Sequence, residues 1–311
     1  MKKILFICIS ILALSLNYSC NDELDDELFE KFVLLTQNGW IDQNLEITST
    51  GLIEIPLVVS VNGTSDNDKT IAVGVKFDPD TLSGYNFEKY RNQTSLYYSE
   101  LPSGAISFND ETITIGSNAL KGISNMTLDL NKVADKYADY VVPVMIENTS
   151  EYRVAEDKYS KSLIHIVLKN SFSGNYTGEI GVYKTKSDGS NDTNNKFTVS
   201  TKTFYAISDD QCYFYAGQYD RTKTERNNFI VNITINDDET ISMDSPNSDL
   251  NLKQEKASVE ITSEPHPTDN RYEIVTTILT LQYTFKDLSL DDRPVVRAQG
   301  SVSMRQNVLI K

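Results

Sequence analysis

Histidine is scarce in this 311-residue sequence, which holds only His165 and His266, too few for a histidine-rich metal site. His165 alternates within residues 163–168 and reads as a structural residue, while His266 lies between two prolines in a loop. No GxSxG elbow, HExxH helix or phosphate-cradling glycine loop occurs. The acidic loops 188–192 and 287–292 offer oxygen ligands but lack EF-hand spacing, so they read as solvated turns. No metal, cofactor or catalytic residue is therefore expected, and the chain does not read as an enzyme. Positive charge is also short: 29 basic residues face 44 acidic ones, for a net charge of −15. Such a body argues against nucleic acid, whose binding depends on neutralising phosphates, and favours solubility.

Long apolar runs are missing too, apart from residues 4–16, which follow Lys2 and Lys3 and are broken by Ser10 and Ser15. That run falls short of the ~20 residues a membrane helix needs. It suits the apolar region of a signal peptide over residues 1–19. Ser19-Cys20 at its end resembles a bacterial lipobox, although Asn17 stands where that motif usually has leucine. The resemblance implies cleavage before Cys20 and acylation of its thiol and new amino group. More than one acyl chain would anchor the protein stably to the outer membrane. An ordinary signal peptide with an incidental cysteine is the alternative. Residues 20–28 form an acidic tether, similar to the export signal of Bacteroidetes surface lipoproteins, which implies an outward-facing protein. A solvated linker on a periplasmic protein is the competing reading. Of the three cysteines, Cys8 would leave with the signal and Cys20 would carry lipid. Cys212 then has no partner for an intramolecular disulfide and reads as a small buried residue.

The remainder reads as strands. Residues 53–61 alternate apolar and polar positions, as do 71–77, and turn residues separate further short strands up to residue 168. Residues 83–90 allow one short helical turn. Pro56 and Pro143 cannot donate to a ladder, which places their strands at edges or bulges. Spacing of this kind fits an antiparallel sandwich over residues 29–170. The polar segment 170–175 makes a boundary. Residues 171–311 then carry eight strands joined by mostly short turns, an up-and-down antiparallel meander closing toward a lipocalin-like barrel, with a second sandwich as alternative.

Three landmarks in the first half carry a family resemblance: Tyr97-Tyr98-Ser99-Glu100-Leu101-Pro102, Glu111-Thr112-Ile113-Thr114-Ile115-Gly116, and Tyr140-Val141-Val142-Pro143-Val144 with the closing strand 163–167. In that order they resemble the N-terminal immunoglobulin-like module of Bacteroidetes surface lipoproteins, once a domain of unknown function. The module also heads some endo-β-N-acetylglucosaminidases and surface glycan-binding proteins. Ser173-Gly174-Asn175-Tyr176, residues 212–217 and residues 283–287 resemble the β domain that often follows it. The resemblance implies an all-β protein. The acidic DxxDxDxE segment of chitinase-like endoglycosidases does not occur.

Aromatics are plentiful, with 17 tyrosines, 12 phenylalanines and one tryptophan. A ring can stack on the C–H face of a sugar while a hydroxyl or indole N–H keeps a polar handle. Tyr213 and Tyr215 on one strand face, Tyr219 beyond Gly217, and Trp40 in a loop after Asn38-Gly39 are the candidate glycan-binding residues, with core packing as the competing explanation for each. The function read from the sequence is a lipid-anchored surface protein that binds glycan and passes it to a neighbouring outer-membrane transporter or endoglycosidase. The alternative is an adhesin acting through protein contacts. An aromatic platform rimmed by Asp, Asn or Lys would favour the first; a flat apolar patch or a free strand edge would favour the second.

Overall fold

The structure is a computed structural model and describes residues 29–310 except Asp237. The expected signal peptide, the expected lipidation at Cys20 and the expected tether therefore lie outside the described residues. Residues 32–169 build two five-stranded sheets face to face. The first holds β1 (Phe32–Leu35), β3 (Leu52–Asn62), β5 (Ile106–Phe108), β7 (Lys121–Asp129) and β9 (Arg153–Val154), in the order β5-β7-β3-β1-β9. The second holds β2 (Gly39–Glu46), β4 (Ile71–Phe77), β6 (Thr112–Ile115), β8 (Val141–Thr149) and β10 (Lys161–Lys169), in the order β2-β10-β8-β4-β6. Most pairings are antiparallel, but β1 with β9 and β2 with β10 run parallel. The alternation read in β3 is observed: Ile53, Ile55, Leu57, Val59 and Val61 are all buried in the sandwich core.

Two expectations are corrected here. Pro56 and Pro143 lie in β3 and β8, the middle strands of their sheets and not edges; β8 does carry a bulge in its pairing with β4, where Gly74 meets Asn148 and Val75 meets Ile146, whereas β3 carries none. Each falls where a neighbour has stopped. β1 pairs only with residues 59–62 of β3, and β4 pairs with β8 only from Val144 onward. A missing N–H therefore costs no ladder bond on that side. The helical turn is longer than expected: α1 runs Pro79–Tyr90, with Pro79 in its first turn and Asp80 and Lys89 complementing its ends.

Eight strands follow: β11 (Gly174–Thr185), β12 (Asn191–Ala206), β13 (Gln211–Tyr215), β14 (Ile230–Ile235), β15 (Ile241–Asp244), β16 (Lys253–Pro265), β17 (Tyr272–Lys286) and β18 (Val295–Leu309). They form one sheet in the order β15-β14-β13-β12-β11-β18-β17-β16. This is the expected meander, closed where the first strand pairs with the last. A bridge from Thr240 to Ser258 spans the remaining gap between the β15 and β16 sides, together with Gln254, whose side-chain amide accepts from the Met243 N–H and donates to the Ile241 carbonyl. At the closing seam Gly178 and Gly300 lie against opposing backbone, where a Cβ would clash with Ser301 or Glu179. The all-β reading holds for both halves. The barrel core is strongly aromatic, with Tyr176, Phe204, Phe214, Phe229, Tyr283 and Phe285 fully or almost fully buried.

Candidate functional site

The outer face of the second sheet is the face turned away from the sandwich core. Val142, Val144, Ile164 and Ile166 point into that core. Their alternating neighbours Val141 and Leu163 point outward, where Leu82 of α1 covers them. On this small apolar floor pack Trp40, Tyr85 and Tyr98, each half-buried. Trp40 stacks on Tyr85 with centroids 4.8 Å apart and planes 16° apart, and Tyr98 lies 4.7 Å from Trp40 on a tilt. Tyr90 joins at 5.8 Å from Tyr98.

Local structure fixes each ring. Tyr85 and Lys89 stand four residues apart on α1 and so share a helix face. Buried Asn86 clamps the chain at Tyr98: its amide donates to the Tyr98 carbonyl, and the Tyr98 N–H donates back, both at 2.9 Å. The parallel register of β2 and β10 sets His165 beside Asp42. His165 Nδ1 lies 2.8 Å from Asp42 Oδ1, and the Trp40 indole N–H donates to the same oxygen at 3.0 Å. The hydrogen bond from His165 lowers the Asp42 pKa, partial burial opposes it, and the Trp40 bond assists. Lys89 places its ammonium 5.0–5.3 Å from the ring centroids of Trp40, Tyr85, Tyr90 and Tyr98. Burial works against that charge, yet contacts with the Tyr98 and Tyr85 hydroxyls hold the Lys89 pKa above its ordinary value. Burial pushes the Tyr98 phenol up to about 12. The result is an aromatic patch edged by one carboxylate and one ammonium.

The other sequence-derived candidates require correction. Tyr213 and Tyr215 do share a strand face, but both are buried, as is Tyr219. Residues 133–140, the segment between β7 and β8, come across the domain boundary and cover that face. Tyr137 meets Tyr213 edge-on at 5.3 Å, and Tyr137 also bonds Asn232. The Arg221 guanidinium lies 3.9 Å from the Tyr205 ring and reaches the Tyr213 hydroxyl. Tyr219 stacks on Phe229 with centroids 3.5 Å apart. None of the three offers a ring to a sugar. Trp40 remains, though in strand β2 rather than in a loop: Gly39, at φ +70°, makes the turn and the strand starts there. Tyr85, Tyr98 and Lys89 were not singled out. The Tyr97-Tyr98 landmark and the i, i+4 spacing of Tyr85 and Lys89 were the available signals.

Among the described residues no group of three or more His, Cys, Asp or Glu side chains could hold a metal ion. No described helix is long and apolar enough to cross a membrane. Cys212 is buried with its thiol pushed up to about 12 by desolvation, as befits a core residue.

These features define a two-domain all-β protein with an aromatic patch on its N-terminal sandwich. Comparison with known proteins places it further. Residues 25–150 match the family model of a domain of unknown function, DUF4973, and residues 160–303 match a second model described as a C-terminal domain. Half by half, the chain is thus similar to a DUF4973 domain followed by a domain of that second family, in keeping with the two-domain resemblance read from its landmarks. No curated protein matches it. Among solved structures it is similar to a Bacteroides ovatus protein of unknown function (TM-score 0.78, 23% identity, covering 89% of this chain and 96% of that one). It is also similar to a multidomain Bacteroides ovatus protein that includes DUF1735 (TM-score 0.77, 22% identity, 89% and 96% covered). A third is an auxiliary nutrient binding protein from Bacteroides thetaiotaomicron (TM-score 0.75, 20% identity, 87% and 92% covered). At these identities the likeness is one of fold.

Proposed function

We propose that this protein binds glycan outside the cell, without chemistry of its own, through the patch formed by Trp40, Tyr85 and Tyr98. The observation that carries this reading is the combination of half-buried rings with an exposed carboxylate and ammonium at their edge. The rings suit the C–H face of a pyranose, and Asp42 and Lys89 suit its hydroxyls. The fold shared with an auxiliary nutrient binding protein supports the same reading. Under it, acylated Cys20 holds the protein to the outer membrane facing outward, and the glycan passes to a neighbouring transporter or endoglycosidase.

The test is a glycan array probed with the soluble form starting at Asn21, using host N-glycans, mucin O-glycans and plant polysaccharides. Trp40 is the single tryptophan, so its emission reports directly on the patch. Specific binding that shifts this emission and weakens at least ~10-fold in Trp40→Ala supports the proposal, a factor equal to about 1.4 kcal/mol. Binding that survives the substitution moves the site elsewhere. No binding to any glycan at high protein concentration sinks the reading and turns the search to a protein partner.

A further inference from the structure

Several lysines of this acidic chain form ion pairs, among them Lys69 with Glu151, Lys76 with Glu147 and Lys161 with Asp78. Lys89 forms none among the described residues and is held by rings instead. Its ammonium donates to the Tyr98 hydroxyl at 3.2 Å and the Tyr85 hydroxyl at 3.3 Å, and stands 5.0–5.3 Å from the four ring centroids of the patch. An ammonium has three protons. Two are thus used, and the third is left for a ligand on a residue that stays exposed. Burial opposes the charge, but the two phenol contacts outweigh it and keep the amine protonated. The rings and hydroxyls also restrict a side chain that is ordinarily rich in rotamers, so a ligand need not order it on binding.

Asp42, the carboxylate of the patch, stands at another edge. Its Oδ1 takes the Trp40 indole N–H at 3.0 Å and the His165 Nδ1 contact at 2.8 Å, while its Oδ2 has no protein partner among the described residues. The patch therefore has an acceptor at its Trp40 end and an ammonium at its Tyr85–Tyr98 hydroxyls. A pyranose that lies on the rings and carries a carboxylate can use both, with its acid group at Lys89 and a hydroxyl donating to Asp42. The bond to Lys89 is then charge-assisted, roughly twice as strong as a neutral one. A neutral sugar offers Lys89 only a hydroxyl. The negative charge of the whole chain acts weakly here, because exposed charges farther than ~8 Å are largely screened at physiological salt.

We infer that the patch selects acidic glycans, those whose sugar ring bears a carboxylate, and that Lys89 receives that carboxylate. This inference rests on the glycan reading above and names the class of glycan.

The experiment titrates the soluble chain from Asn21 and follows Trp40 emission with two matched pairs of probes. One pair is a galacturonic acid oligosaccharide and its methyl ester, which keeps the ring and removes the charge. The other is a sialylated N-glycan and its desialylated form. At low salt the acidic member of at least one pair should bind ~5-fold or more tighter, the upper range for an exposed ion pair; which pair responds tells a uronate from a sialate. The preference should shrink in 0.5 M NaCl, at about a 4 Å screening length. Lys89→Met keeps an unbranched stem against the rings and removes the charge, so the ratio within the pair should fall toward one. Equal binding of acidic and neutral members, or a preference that Lys89→Met leaves intact, overturns this inference and leaves the glycan reading standing. Absence of binding to any glycan overturns both.

Discussion

Lys202 shows how a single side chain can organise the barrel. It is 4% exposed, and its ammonium donates to the carbonyls of Tyr215 and Gly217 at 2.7 Å and of Tyr219 at 3.3 Å. Three protons meet three carbonyls at the bend where the chain leaves β13. Burial pulls the Lys202 pKa down to about 8 while the Asp220 charge opposes it, so the amine is still protonated at neutral pH when it meets the carbonyls. Replacing it with methionine fills similar space but leaves three buried acceptors unpaired, each a desolvation cost of about 1–3 kcal/mol. Urea denaturation of Lys202→Met is therefore expected to show a loss of about 3–5 kcal/mol. A loss below ~1 kcal/mol would mean that the carbonyls find other donors. In the sequence Lys202 sits among threonines in a polar stretch, with nothing to mark it as buried.

At the level of elements, the strands were legible and their neighbours were not. Period-two alternation located β3, β4, β14 and β17 because one face of each is buried. The same pattern cannot say which strands lie beside one another, so central strands holding Pro56 and Pro143 read as edge or bulged strands, and only the bulge in β8 is found. Helix α1 read as a short turn because only Leu82 and Asn86 of its residues are buried, leaving almost no apolar periodicity. Its start and stop signals, Pro79 and Lys89, were in place. The pairing of β2 with β10 was invisible for the same reason, yet it makes the Trp40–Asp42–His165 contact and gives that contact a pH dependence. Folding lowers the Asp42 pKa, chiefly through His165. Its contribution to stability is thus present above the unfolded carboxylate value of about 3.9 and is lost as pH falls through the lower folded value. As pH falls through that lowered value, protonating Asp42 should loosen the indole and shift Trp40 emission. Asp42→Asn should lack that step. An identical acid profile in both proteins would separate the emission change from Asp42.

The whole molecule depends on a contact between sequentially distant groups. The shared face of Tyr213 and Tyr215 was legible from their spacing. Its cover was not, because residues 133–140 and Arg221 reach it only once both domains are folded. That cover carries Asp139, whose carboxylate faces Arg221 and Arg226 in a largely buried setting. Removing one partner of a buried pair costs about 3–5 kcal/mol, since the charge left behind stays desolvated. Asp139→Ala should therefore weaken the joint more than either domain alone. Two probes separate the halves: Trp40 emission reports the sandwich, and thiol labelling of buried Cys212 reports the barrel. In the native protein the two probes should trace one denaturation transition. In Asp139→Ala they should part, with the barrel signal melting at its own midpoint, because coincidence of probes is the mark of a single cooperative unit. Coincident curves in the variant would show that the domains are held by their remaining apolar contacts and that the ionic cluster is incidental to their coupling.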